Sequence, residues 1–172
     1  MKKIIIAGPG GSGKDYFASF LESRGFKKTK DFTTRPRRDK DDNDYIFVDE
    51  INTDECYYVF KVRGNDWCYG YSKEQIISGD FSIRPPESIL STVEYLTKSG
   101  YEPYIIYFDI DLEIRRERLM KRSDKDLDRR LTTDREDFAS FMTLYNPQLV
   151  IRDPYYDPEE LLSQILKDIE NY

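Results

Sequence analysis

The stretch KKIIIAGPGGSGKDYFASF, residues 2–20, decides the fold of this 172-residue chain. A short apolar run at residues 4–7 leads directly into the glycine-rich segment GPGGSGK at residues 8–14. The residues that follow place apolar side chains on one helical face, namely Tyr16, Phe17, Phe20 and Leu21. The pattern predicts a buried strand, a tight loop and then a helix over Lys14–Ser23.

The spacing G-x4-G-K within this stretch has a physical reason. Glycines let a backbone turn tightly and aim successive N–H groups at a phosphate, and the following helix points its positive end at the same anion. Because a strand precedes the loop and a helix follows it, the motif is not read as a glycine-rich turn with a surface lysine. We expect it to bind the phosphates of ATP, with Lys14 acting in catalysis; the predicted ATP-binding residues are Gly8, Gly10, Gly11, Ser12, Gly13, Lys14 and Asp15.

Asp15 departs from the usual form of this motif, which ends in Ser or Thr. The usual hydroxyl binds Mg²⁺, and the carboxylate of Asp15 offers a hard oxygen for the same ion while adding negative charge near the β-phosphate. We therefore predict Asp15 as a metal ligand and Mg²⁺, bound with ATP, as the cofactor.

Composition narrows the possible functions. The net charge of −6 and the pI of about 4.9 argue against a protein that mainly grips nucleic acid. The absence of histidine excludes Ser-His and Cys-His nucleophilic catalysis and histidine metal sites. It is compatible with phosphoryl transfer, in which positioning and charge neutralisation supply most of the rate.

The expected location is the cytoplasm. No apolar run approaches the roughly 18 residues of a membrane span, and the chain shows no export signal. Cys56 and Cys68 form no metal-binding pattern, so we expect free thiols in a reducing compartment.

Strands alternate with helices along the chain, which predicts an α/β fold with a five-stranded parallel sheet flanked by helices. The candidate parallel strands lie near residues 3, 28, 81, 104 and 149. Further helices are predicted over 73–78, from Pro85 or Pro86 to Ser99, and over 112–122, 127–145 and 158–169. The single domain divides into a core (1–32, 80–114 and 140–172), a β-rich insert (33–79) and a charged helical region (115–139).

Several motifs then appear in order along the chain: FTTRPRR (32–38), DYIFVD (44–49), YGYSKEQI (69–76), RLMKR (118–122), DRRL (128–131) and LVIRD (149–153). With the glycine loop, this series resembles the guanylate kinases over nearly the whole chain. The resemblance implies a P-loop nucleoside monophosphate kinase in which the insert binds the monophosphate and the region 115–139 is a helical lid that closes over it.

The resemblance also implies roles for individual residues. Arg35, Arg38, Tyr45 and Tyr69 match residues that bind the acceptor phosphate, and Arg118, Arg122 and Arg130 match arginines that neutralise the transferring group. Guanidinium groups suit both tasks because they pair with phosphate oxygens. From the sequence alone, however, these arginines could be solvated and the tyrosines could simply pack on the core.

The base pocket departs from the family pattern. Phe60 stands where guanylate kinases have a glutamate, Arg84 follows the strand that should end in an aspartate, and Tyr71 replaces a smaller residue. Arg84 is a predicted nucleotide-binding residue whose donors would suit a carbonyl of thymine or another base. Glu55 or Glu87 could replace the missing carboxylates, so guanine remains open.

We thus expect a kinase that transfers the γ-phosphoryl group of ATP to a nucleoside or deoxynucleoside monophosphate, with no membrane or nucleic acid partner. A kinase of the same fold acting on another small molecule or on a modified DNA base is an alternative. A catalytically inactive binding module is another, although such modules usually degrade the glycine loop. The base, the sugar and the choice between monomer and homodimer stay open.

Overall fold

The computed structural model describes residues 1–61, 66–122 and 127–170. The strands of the described residues are β1 Lys2–Ala7, β2 Asp31–Thr33, β3 Tyr45–Phe47, β4 Cys56–Lys61, β5 Cys68–Ser72, β6 Phe81–Ile83, β7 Glu102–Phe108 and β8 Leu149–Ile151. Their helices are α1 Lys14–Ser23, α2 Lys73–Ser78, α3 Pro86–Lys98, α4 Leu112–Lys121, α5 Leu127–Phe138, α6 Phe141–Tyr145 and α7 Pro158–Glu170. None of these helices is both long and apolar enough to cross a membrane. Most of the predicted turn at 64–66 and of the polar segment at 123–128 lies outside the described ranges.

A parallel sheet forms the centre of the molecule. Among the described residues it has four strands in the order β6-β1-β7-β8, and helices cover both faces. On one face, Phe17 and Leu21 of α1 pack with Ile165 of α7 against the sheet. On the other, Ile89 and Leu96 of α3 do so. The predicted α/β fold is therefore confirmed, and the loop between β1 and α1 lies at the carboxyl end of a central strand.

The prediction of a fifth parallel strand near residue 28 is wrong. Lys28 makes a single parallel bridge with Phe81, and the chain then leaves the central sheet. Regular pairing begins at Asp31, where β2 pairs with β3 in parallel and with β5 in antiparallel fashion. The backbone groups of residues 31–33 are thus satisfied by other partners, which prevents a fifth strand from extending the central sheet.

These pairings build a second sheet with the order β3-β2-β5-β4 among the described residues. Apart from β2, its strands come from the stretch between Tyr45 and Ser72. Ser72 ends the sheet and caps α2, which spans the predicted residues 73–78, and its side chain accepts a hydrogen bond from the Gln75 N–H. The second sheet therefore lies between β1 and β6 in sequence and forms one wall of the site described below.

The prediction of a single helix over 127–145 is also wrong, because the helix is interrupted between α5 and α6. Phe138 and Phe141 both stack on Tyr107, with ring centroids 5.8 and 4.3 Å away. A turn at residues 139–140 lets the two phenylalanines share this ring. After this turn Leu144 faces solvent, where it is 62% exposed.

Two leucines of α3 provide a matched test of this core. Leu96→Ala removes a fully buried side chain from the packed face, and we expect a loss of about 2–5 kcal/mol in the free energy of unfolding. Leu90→Ala changes a side chain that is 62% exposed, and should alter stability by less than about 0.5 kcal/mol. Urea unfolding followed by circular dichroism measures both; equal losses would contradict the packing described here.

Candidate functional site

The glycine loop turns sharply between β1 and α1. Gly11 and Gly13 adopt positive φ angles of 76° and 94°, which side-chain-bearing residues rarely adopt. At Gly11 a Cβ atom would lie 2.8 Å from the Arg115 carbonyl oxygen, so α4 closes on the loop from behind. The loop backbone is consequently held against α4 while α1 begins at Lys14.

Lys14 extends along the loop that precedes it. Its Nζ lies 3.5 Å from the Pro9 carbonyl oxygen and 3.4 Å from Oδ2 of Asp15. The Lys14 side chain is 16% exposed, whereas that of Asp15 is 62% exposed. The Ser12 hydroxyl is buried and has no hydrogen-bond partner in the described structure. The loop therefore holds an ammonium and an unpartnered hydroxyl close to its backbone.

Two cavities flank the loop. The more polar one has a volume of about 440 Å³ and reaches from the loop to the second sheet; we call it the acceptor-side cavity, after the acceptor that the sequence leads us to expect there. It is lined on the loop by Gly8, Gly10, Lys14 and Asp15. The donor-side cavity measures about 490 Å³ and is lined by Gly11, Gly13, Tyr16, Arg118, Lys121, Arg122, Pro154, Tyr155 and Tyr156.

The structure does not bring all the sequence-predicted residues to one place. Tyr45, Tyr69, Arg84 and Arg130 line the acceptor-side cavity together with Lys14. Arg118 and Arg122 line the donor-side cavity instead. Arg35 lines neither, and contributes to a shallow surface groove with its neighbours Thr34, Pro36 and Arg37. Arg38 lines none of the cavities described here.

Helix α5 approaches the loop at Gly10. Its Asp134 carboxylate accepts a 2.7 Å hydrogen bond from the Gly10 N–H and lies 3.7 Å from Nη1 of the buried Arg115. Arg130, one turn earlier on α5, is so close that a Cβ atom on Gly10 would lie 2.9 Å from its Nε. A carboxylate oxygen thus occupies a loop donor that could otherwise bind a phosphate oxygen.

A second carboxylate, that of Asp42, contacts Arg35 and Arg38, the two arginines predicted to bind the acceptor phosphate. Asp42 Oδ2 is 2.8 Å from Nη2 of Arg35 and accepts a 3.0 Å hydrogen bond from the Arg38 N–H. The side chains of Arg35 and Asp42 are 4% and 7% exposed. The hydrogen bond from Arg38 and the Arg35 guanidinium together lower the pKa of the Asp42 carboxyl. Arg35 is therefore bound to an anion of the chain itself.

The two predicted tyrosines lie side by side at the wall of the acceptor-side cavity. Their ring centroids are 5.3 Å apart, and the Arg35 guanidinium lies 5.6 Å from the Tyr45 ring. Burial raises the pKa of Tyr45 to about 12, with the neighbouring Tyr69 adding to the shift. Its hydroxyl therefore stays protonated at neutral pH and is a potential donor to a phosphate.

Arg118 supports the loop from the donor side. Its Nη1 donates to the Gly11 carbonyl oxygen at 3.1 Å and its Nη2 to the Pro154 carbonyl oxygen at 2.5 Å. Tyr156 also donates to the loop, to the Gly13 carbonyl oxygen at 3.1 Å. The donor-side cavity thus lies between α4 and the segment that joins β8 to α7, with the loop as its floor.

Metal binding would depend on few protein ligands. Residues 1–61, 66–122 and 127–170 contain no group of three or more Asp, Glu or Cys side chains able to hold a metal ion. Mg²⁺ in nucleotide sites is commonly bound by one or two carboxylates together with substrate phosphates and water. Asp15, exposed at the acceptor-side cavity beside Lys14, supplies one such carboxylate and fits that mode.

Sequence reasoning missed three aspartates of the site. Asp134 lies four residues after Arg130, so the shared helix face was a usable signal. Asp42 lies in an acidic loop four residues after Arg38, where a turn contact was foreseeable. Asp31, which pairs with Arg84, gave no local signal because its partner is 53 residues away.

Comparison with solved structures identifies the fold. A guanylate kinase from Anaplasma phagocytophilum matches 98% of this chain and 84% of its own, with a TM-score of 0.57 at 17% sequence identity. A deoxyadenosine kinase from M. mycoides, solved with dCMP and dCDP as products, matches 99% of both chains with a TM-score of 0.52 at 16% identity. Neither a family model nor a curated protein sequence matches the chain. These likenesses confirm the predicted guanylate kinase-like P-loop kinase fold.

Proposed function

We propose that the protein is an ATP-dependent nucleoside or deoxynucleoside monophosphate kinase, which produces the corresponding diphosphate. The proposal is carried by one observation: the glycine loop lies between two cavities, and Lys14 faces the one that the second sheet completes. A phosphoryl group held on the loop would be accessible from a donor on one side and an acceptor on the other. A nucleotide-kinase fold agrees with this arrangement.

The donor would bind on the side of Arg118 and Arg122. Flat guanidinium and phenol groups, here from the arginines and from Tyr16, Tyr155 and Tyr156, suit the faces of a nucleobase. The triphosphate would then lie on the N–H groups of Gly10, Gly11, Ser12 and Gly13, with Lys14 beside its outer phosphates. Because Arg118 already binds two carbonyl oxygens, its first role would be to fix the donor-side wall.

The acceptor would bind in the cavity between the loop and the second sheet. Tyr45 and Tyr69 line this cavity, and Arg35 lies behind Tyr45, so a monophosphate could displace Asp42 and gain the arginine. In this proposal residues 33–79 form the acceptor-binding insert, residues 115–139 form the lid, and the remainder is the core. Closure of the insert would move Arg35 and Arg38 toward the loop.

The reaction itself needs few protein groups. An oxygen of the acceptor monophosphate attacks the γ-phosphorus, the bond to the bridging oxygen breaks, and ADP leaves with that electron pair. No general base is needed because the attacking oxygen is already ionised. Lys14 and Arg130 both line the cavity and would neutralise charge on the transferring group, with Arg118 and Arg122 acting from the donor side. Bound Mg²⁺, held by Asp15 and the phosphates, would add further charge neutralisation.

Substitution of Lys14 tests the proposed reaction. Lys14→Ala should lower kcat with ATP and monophosphates by at least about 10³-fold, because charge neutralisation supplies most of the rate in phosphoryl transfer. Coupled detection of ADP, with chromatographic identification of the nucleoside diphosphate, measures the loss. Lys98→Ala, which removes an exposed partner of Glu94, is the control and should keep full activity. A folded Lys14→Ala protein with near-normal turnover would disprove the assignment.

Asp15 provides a separate test of the metal site. Asp15→Ala should raise the Mg²⁺ concentration needed for half-maximal rate by roughly tenfold, the low end of the range for the loss of metal-site support. Asp15→Ser restores the residue type usual at this position and should recover most of the metal affinity. An unchanged Mg²⁺ dependence in both variants would show that Asp15 is not a metal ligand.

Asp134 should compete with the triphosphate for the loop. Asp134→Asn weakens the hydrogen bond from Gly10 and removes a negative charge, so we expect roughly tenfold tighter ATP binding by calorimetry. Asp137→Asn is the matched control, since it removes the same charge from the same helix at the same cavity. Equal gains in both variants would mean that only net charge matters and that the contact with Gly10 does not.

A further inference from the structure

An ion pair is buried in the wall of the acceptor-side cavity. Nη1 of Arg84 donates to Oδ2 of Asp31 at 2.5 Å, and Nη2 donates to Oδ1 at 3.0 Å. Arg84 is 2% exposed and Asp31 7% exposed, yet both line the cavity. The Tyr71 ring covers the guanidinium at 4.1 Å. The pair is therefore a fixed, planar and largely desolvated surface.

Both groups are charged in this pair. Burial raises the pKa of the Asp31 carboxyl, and the Arg84 guanidinium opposes that rise. Because an arginine in a protein keeps its proton, the carboxylate has a permanent cationic partner. Asp31 thus acts only as an acceptor, and Arg84 only as a donor.

One edge of the pair still has unused hydrogen-bonding capacity. The opposite edge is occupied, since Nη1 of Arg84 also donates to the Ile83 carbonyl oxygen at 3.2 Å. On the unused edge, Nη2 has only a 3.5 Å contact with the Thr29 hydroxyl, and the buried Nε has no hydrogen-bond partner in the described structure. Thr29, Asp31 and Arg84 all line the cavity, so a ligand bound there would lie beside this edge.

The order of groups along that edge selects a ligand. A guanidinium is planar, so the edge presents an acceptor (Asp31 Oδ1), a donor (Arg84 Nη2) and a second donor (Arg84 Nε). The complement is a donor followed by two acceptors. The Watson–Crick edge of cytosine has this order: an amino group, a ring nitrogen and a carbonyl. Uracil and thymine place a donor between two acceptors, guanine presents one acceptor and two donors, and adenine lacks the second acceptor.

The surrounding side chains favour a neutral base that can stack. Phe60 and Tyr69 stack with centroids 5.4 Å apart, and Phe60 packs edge-on against Tyr71 at 5.7 Å. All three rings line the cavity and provide flat apolar surfaces for stacking, and Tyr71 lies against the ion pair. A nearby anion is disfavoured because Asp31 contributes its negative charge to the same edge. A neutral base therefore fits better here than a second phosphate.

We propose that the acceptor is cytidine or deoxycytidine monophosphate, read by the acceptor–donor–donor edge of Asp31 and Arg84. The inference rests on the proposed kinase function and adds the identity of the base to it. It narrows the expectation that Arg84 donates to a carbonyl of thymine or another base. Asp31 and Arg84 are then residues that determine specificity and contact the base, remote from the transferring phosphoryl group.

A substrate panel tests the proposal. The wild-type protein is incubated with ATP, Mg²⁺ and each of CMP, dCMP, UMP, dTMP, GMP, dGMP, AMP and dAMP, and kcat/KM is measured for each. We expect the cytosine nucleotides to exceed all others by at least about tenfold, the lower range for discrimination by paired hydrogen bonds. Thermal shift with each monophosphate alone, without ATP, measures base recognition independently of turnover.

Variants distinguish base recognition from structural support. Arg84→Lys keeps the positive charge beside Asp31 but lacks the planar edge, and Asp31→Asn can present an amide donor; each should lower the CMP-to-UMP ratio of kcat/KM by tenfold or more. Glu87→Gln changes another carboxylate of the cavity and should keep the ratio. Because the CMP-to-UMP ratio compares two substrates of the same protein, it is informative in any variant that folds. The substrate panel on the wild-type protein tests the proposal without any variant.

The two proposals fail in different ways. If guanine, thymine or uracil nucleotides are phosphorylated as well as cytosine nucleotides, the base assignment is wrong and the kinase assignment stands. If the CMP-to-UMP ratio of kcat/KM falls in Glu87→Gln but not in Asp31→Asn, the assignment of Asp31 as the hydrogen-bond acceptor for the base is wrong. If CMP shifts the melting temperature selectively but no diphosphate forms, base recognition stands and the kinase proposal fails. The absence of both turnover and selective binding would overturn both.

Discussion

The buried ion pair between Asp31 and Arg84 joins the two sheets of the molecule. Asp31 begins β2 in the second sheet, and Arg84 directly follows β6 in the central sheet. Charges withdrawn from water are costly, and loss of one partner alone typically destabilises a protein by about 3–5 kcal/mol. The pair therefore constrains where the second sheet lies relative to the glycine loop, and with it the shape of the acceptor-side cavity.

The same physical rule appears at two further positions. Asp42 is bound to Arg35, and Asp134 is bound to the Gly10 N–H, so groups suited to phosphate bind carboxylates of the chain. Oriented N–H groups and guanidinium forks attract any oxyanion, and a nearby carboxylate satisfies them at little entropic cost. Substrate binding would then exchange one anion for another, leaving few polar groups unsatisfied at any stage.

Local patterns in the sequence predicted much of the molecule. The run at residues 4–7, the glycine loop and the apolar face of the next helix gave β1, the turn and α1 correctly, because each depends on neighbouring residues. The bounds of α2, Lys73–Ser78, were equally local and also correct. The fifth strand near residue 28 and the continuous helix over 127–145 failed, since both depend on partners distant in sequence: β3 and β5 in the first case, Tyr107 in the second.

The sequence by itself determined that the chain has a phosphate-binding loop in an α/β fold, and which residue types surround it. Only the tertiary structure decided which of those residues share a cavity. It separated Arg118 and Arg122 from Arg130, and it showed that Arg84 has a carboxylate partner. The reason is that hydrogen-bonding capacity at a site depends on which donors are already satisfied, and the carboxylates that satisfy Arg84 and Gly10 lie 53 and 124 residues away in the chain.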